Sequence, residues 1–89
     1  MLSLPDKPWK RVRLSPIAER RYRLTFLAGV NDEAEFDDAV TDDLEACLGP
    51  DDEIVEPAWD SRSVVIVTPD RAAFVRKLAV RRMIVEREA

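Results

Sequence analysis

Residues 20–50 read RRYRLTFLAGVNDEAEFDDAVTDDLEACLGP, and the hydrophobic period changes halfway along them. Over residues 20–28 it is two: Tyr22, Leu24 and Phe26 point one way, Arg21, Arg23 and Thr25 the other, as in a strand with one buried face. Gly29 and Asn31 mark its end. Over residues 32–48 the period is helical, because Phe36, Val40, Leu44, Cys47 and Leu48 share one face. Asp32, Glu33 and Glu35 put negative charge at the positive end of that helix, and Gly49-Pro50 stops it.

Toward the C-terminus, residues 53–57 (EIVEP) form a short strand that Pro57 confines to an edge or a bulge, and Trp59-Asp60-Ser61 makes the connection. Residues 62–68 (RSVVIVT) carry four consecutive aliphatic side chains, the mark of a central strand with two apolar faces. Thr68 caps a second helix, Pro69 is its first residue, and Phe74, Val75, Leu78 and Ala79 form its buried face. Residues 81–88 (RRMIVERE) fit a terminal strand. No Gly or Pro separates them from the helix, so a continued helix is the alternative.

Toward the N-terminus, residues 1–19 contain Pro5, Pro8 and Pro16. Lys10 to Leu14 alternate basic and apolar, which suits a short edge strand or an extended clamp. Ser15-Pro16 has the form of a helix cap followed by a first helical residue. The expected fold is α+β, a ferredoxin-like split βαβ plan in the order β-α-β-β-α-β. Its antiparallel sheet carries both helices on one face. Residues 1–19 form an extended arm and residues 20–89 a single domain. The expected core is Leu24, Phe26, Phe36, Val40, Leu44, Leu48, Val65, Val67, Phe74 and Leu78. The second apolar face of strand 64–67 needs a cover: the arm, through Trp9, Val12, Leu14 and Ile17, or a second copy. Left bare beside Trp59, it would mark a binding patch.

The residue inventory closes off several chemistries. Within these 89 residues there is no histidine and one cysteine, Cys47. A Ser-His-Asp or Cys-His arrangement, an intrachain zinc site and an internal disulfide are therefore excluded. Cys47 reads as a small core residue. Gly29 and Gly49 are the only glycines, so no phosphate-cradling loop exists, and Asp51-Asp52-Glu53 matches no EF-hand spacing. No cofactor, metal site or catalytic residue is expected. The longest apolar run, Val64 to Val67, is too short to span a membrane. Met1 to Asp6 has no leader-like pattern, and a reducing, cytoplasmic setting is the expectation.

Charge is the most unusual feature. Residues 1–30 sum to +5, residues 31–60 to −13 with no basic group, and residues 61–89 to +4. The helix pattern assigns Asp32, Glu35, Asp38, Asp42, Asp43 and Glu45 to its outer face, continued by Asp51, Asp52, Glu53 and Glu56. The bland reading is a solvated surface. The functional reading is a non-catalytic protein-interaction module, an adaptor, inhibitor or assembly subunit. It would bind a basic partner through Asp38, Asp42, Asp43, Glu45, Asp51 and Asp52, and through an open sheet face with Arg21, Arg23, Trp9 and Trp59. The alternative is nucleic-acid binding by the basic arm and first strand, where Lys7, Lys10, Arg11, Arg13, Arg20, Arg21 and Arg23 surround Trp9 and Tyr22. The arginines would otherwise pair with the acidic helix of the same chain or of a neighbouring copy, and opposite segment charges favour self-association.

Overall fold

A computed structural model describes residues 9–86. Five strands and two helices follow the order β1 (Lys10–Ala18), β2 (Arg21–Ala28), α1 (Glu33–Asp38), β3 (Glu53–Ala58), β4 (Ser63–Val67), α2 (Arg71–Val80) and β5 (Met83–Val85). Helix α1 runs on into a π-helical turn, Ala39–Leu44, and a 3-10 turn, Glu45–Cys47. Among the described residues no helix is long and apolar enough to cross a membrane.

The fold is α+β, but the sheet order is β3-β4-β2-β1-β5 and the sheet is mixed, which corrects the ferredoxin-like, all-antiparallel plan. Residues 10–18 are the reason. They form a nine-residue strand that folds back on β2, with Ala18 opposite Arg21 and Leu14 opposite Leu24. A tight hairpin closes at far smaller entropic cost than a pairing across the whole chain, so β1 takes the edge of β2 that the last strand would have used. Strand β5 is left with the far edge of β1, and it pairs there in parallel, Lys10 with Met83 and Val12 with Val85. Ser15 and Pro16 accordingly lie in a strand rather than at a helix start. Pro16 is tolerated because it lies past the end of the β5 pairing, where β1 has an open edge. On β3 the bulge falls at Glu56-Pro57, between the Val55 and Ala58 pairings with β4.

Helix α1 starts at Asp32, whose carboxylate accepts from the Glu35 N–H at 2.8 Å, while the Glu35 carboxylate accepts from the Asn31 N–H at 2.8 Å. The wider winding from Ala39 onward turns both Asp43 and Leu44 inward, at 2% and 0% exposure. Helix α2 is capped by Asp70, which accepts from Ala73 N–H at 3.0 Å. Thr68, the expected cap, instead accepts from Asp70 N–H at 3.2 Å.

Register decides which side chains meet the helices. Val12 sits opposite Phe26, Leu14 opposite Leu24, Leu24 opposite Val64, and Tyr22 opposite Ile66. These side chains form one core with Phe36, Leu44, Cys47, Phe74, Leu78 and Met83, and Val40 and Leu48 pack at its margin. From β4 the core therefore takes Val64 and Ile66. The expected Val65 and Val67 belong to the opposite face, where Val65 lies between Arg23 and Val55. Val12 and Leu14 likewise serve the core, so residues 10–18 widen the sheet instead of lying across its open side.

Gly29 links β2 to α1 at φ +92°, a conformation that side chains disfavour. A Cβ there would lie 2.8 Å from Lys10 Cγ and 3.1 Å from both Lys10 Cα and Trp9 O. Gly29→Ala is expected to lower stability by about 2 kcal/mol, from strain and from displacement of β1. Urea denaturation measures this, and a loss below ~0.5 kcal/mol would contradict the close approach.

Candidate interaction surfaces

The acidic segment and the arginines come to lie on opposite sides of one layer. On α1 and its continuation, Glu33, Glu35, Asp37, Asp38, Asp42 and Glu45 are exposed. Asp51 and Glu56 extend the negative surface toward β3, Glu53 lies in register with Val67 and Arg21, and Asp52 is half-buried and accepts from the Gly49 N–H at 2.8 Å. Helix α2 exposes Arg71, Arg76 and Lys77, so the negative field belongs to α1 and the β3 side alone. Between α1 and the start of β1 lies a concavity of about 440 Å³, lined by Lys10, Asn31, Glu35, Asp38, Asp42 and Asp43 among others. A second, of about 410 Å³, has Val40, Leu48, Ile54 and Pro57 as its apolar lining and Glu45, Asp52 and Glu53 as its acidic one.

Asp43 is not part of the outer surface, contrary to the expectation. Its side chain is 3% exposed and bridges Arg81 Nη2 at 3.1 Å and Lys10 Nζ at 3.5 Å. The same Arg81 nitrogen donates to the Asp42 carbonyl at 3.0 Å, and the Cys47 thiol donates to the Asp43 carbonyl at 3.2 Å. A buried carboxylate needs such partners, since desolvating an unpaired charge costs several kcal/mol. This cluster ties α1 to β1 and to the end of α2. Burial also pushes the Cys47 thiol above its ordinary pKa, so it stays protonated. The sequence pattern assigns Lys10 to the basic arm and gives Arg81 no role. A signal existed nonetheless: Asp43 lies seven residues after Phe36 and four before Cys47, a spacing that keeps it on their buried face.

The opposite sheet face carries Arg11 and Arg13 from β1 and Arg21 and Arg23 from β2. Val55, Val65, Val67 and Ile84 lie in register around them. Arg11 and Arg13 reach Glu86, and the Arg11 hydrogen bond holds the Glu86 carboxyl below its ordinary pKa. Arg21 and Arg23 are exposed and form no ion pair with another described residue. Pairing of the strand arginines with the acidic helix of the same chain is thus ruled out for these four by their placement. Among the described residues, only Lys10 and Arg81 form salt bridges with the α1 segment, and both go to Asp43.

Trp59 and Tyr22 belong to the helix side of the sheet. Trp59 is half-buried against Phe36 at 5.8 Å between ring centroids, on the helix side, with the Arg62 guanidinium 5.0 Å from its ring. Tyr22 packs against the core. Trp9 is 55% exposed, with Arg82 5.9 Å from its ring centre. Lys7 lies outside the described residues. No protein-family model matches the chain, nor does any curated protein or solved structure.

Proposed function

We propose that the protein is a non-catalytic interaction module that docks a basic protein surface on α1. The observation that carries this reading is the separation of charge. Residues 31–60 hold thirteen acidic groups and no basic one, and apart from Asp43 no α1 carboxylate forms a salt bridge with a described residue, while four arginines occupy the far side of the sheet. Such a one-sided field raises the encounter rate with an oppositely charged protein by about 10- to 1,000-fold at low salt, an advantage lost once the Debye length shrinks.

Asp38 and Asp42 are the residues to reverse, because they are exposed and border the concavity. Asp43 is left intact because it holds the fold together. A tagged Asp38→Lys/Asp42→Lys chain is expected to lose, in low-salt capture from native lysate, the protein that wild type retains, whether a different chain or another copy. The association rate of that pair should fall about 10-fold or more at low salt and little at high salt. Equal capture by wild type and variant at both salt concentrations would refute the reading.

A further inference from the structure

Building on α1 as a docking surface, we infer that the partner it fits is a second copy of this chain, which presents the arginine-bearing face of its sheet. That face is both basic and aliphatic. Arg23 lies between Ser15 and Val65, Arg21 sits beside Val67, and Arg13 sits beside Thr25. Ile84 is 47% exposed on the strand next to Arg11. No described helix packs on it, because the core joins the other sheet face to both helices. A strand such as β4, aliphatic on both sides, belongs to a sheet covered on both sides.

The occupant must be negative, and it must also tolerate the exposed Ile84 and the half-buried Val55 and Val67, Val65 being already buried at 2% exposure. Segment α1 meets both conditions, since exposed carboxylates alternate there with Ala34, Thr41 and Ala46. Two copies meeting sheet to sheet would set arginine against arginine, an arrangement that like-charge repulsion opposes. The remaining contact is heterologous, helix side to sheet side. Because the two surfaces lie on opposite faces of the same two-layer body, each added copy leaves one of each kind free, and the assembly extends as a stack. A single-stranded nucleic acid suits the face less well. Glu53 and Glu86 flank the arginines and repel phosphate.

Light scattering of the full chain at low and high salt tests the inference. Wild type is expected to gain mass with concentration at low salt and to be monomeric at high salt. Arg21→Glu/Arg23→Glu and Asp38→Lys/Asp42→Lys are each expected to stay monomeric at low salt with unchanged circular dichroism. An equimolar mixture of the two is expected to regain mass, since each swapped face then meets an opposite charge. A monomeric wild type at low salt overturns the stack, as does association that neither variant weakens. Retention of a labelled oligouridylate by a monomeric wild type, lost in Arg21→Glu/Arg23→Glu, assigns the face to nucleic acid and also overturns it. If wild type is monomeric while Asp38→Lys/Asp42→Lys still loses a captured basic protein, the stack alone has failed and docking on α1 stands.

Discussion

Phe36→Ala is expected to lower the stability of this domain by about 4 kcal/mol, close to half of what 89 residues normally hold. Phe36 is 2% exposed and stands at the junction of the sheet, α1 and the β3–β4 connection. Its ring meets Phe26 edge-on, at 5.9 Å and 81°, and Trp59 at 5.8 Å. Truncation removes the largest apolar side chain of α1, leaves a cavity that two rigid rings cannot fill, and forfeits two aromatic contacts of roughly 0.5–1.5 kcal/mol each. Urea denaturation gives the loss. Trp59 supplies a second readout, because its emission is expected to shift to the red as water reaches the vacated space. Phe36→Leu, which keeps most of the volume, is expected to cost about 1 kcal/mol. A Phe36→Ala cost no larger than that of Phe36→Leu would mean that α1 is not seated as described.

Asp43→Ala is expected to cost about 3 kcal/mol, for an electrostatic reason. The carboxylate is the shared counter-ion of Lys10 and Arg81, whose side chains are 12% and 37% exposed. Without it, two cations face each other across a vacated site. Arg81 Nε is already buried with no hydrogen-bond partner, so this guanidinium has little else to turn to inside the protein. Its partial exposure lets it swing outward, which places the expected loss at the low end of what breaking a buried pair costs. The midpoint of thermal unfolding is expected to fall by about 15 °C. Lys10→Met combined with Asp43→Leu is expected to recover only the share of the loss that Lys10 carries, because Arg81 still lacks its carboxylate. A loss for Asp43→Ala below ~1 kcal/mol, the range of surface ion pairs, would contradict the buried cluster.

How far the sequence could be read follows the range of the interactions involved. The alternation of β2 and the acidic first turn of α1 are local, and both are present where the pattern put them. The apolar run of β4 identified a central strand, but four consecutive aliphatics carry no phase. Only the pairing with β2 shows that Val64 and Ile66 face the helices. The role of residues 10–18 was hidden for a related reason. Lys10 to Leu14 alternate as any edge strand does, and nothing local says that the hairpin outcompetes the terminal strand for β2. At Asp43 the charge pattern misled. A run of carboxylates suggests one exposed face, while the spacing to Phe36 and Cys47 placed this member inside, where its partners come from 33 and 38 residues away in sequence. The open sheet face was foreseen, and so were Arg21 and Arg23 on it, whereas Trp59 belongs to the other side.

The parallel pairing of β1 with β5 has a kinetic corollary. Residues 83–85 are synthesised after every other described strand, yet they flank the first of them, 73 positions earlier. Until they emerge, Lys10 to Val12 stay an unprotected margin, and neither Met83 nor Arg81 can close over α1. The sheet therefore closes only once residue 85 is available, and a nascent chain stalled before Arg81 is expected to be incomplete and prone to association.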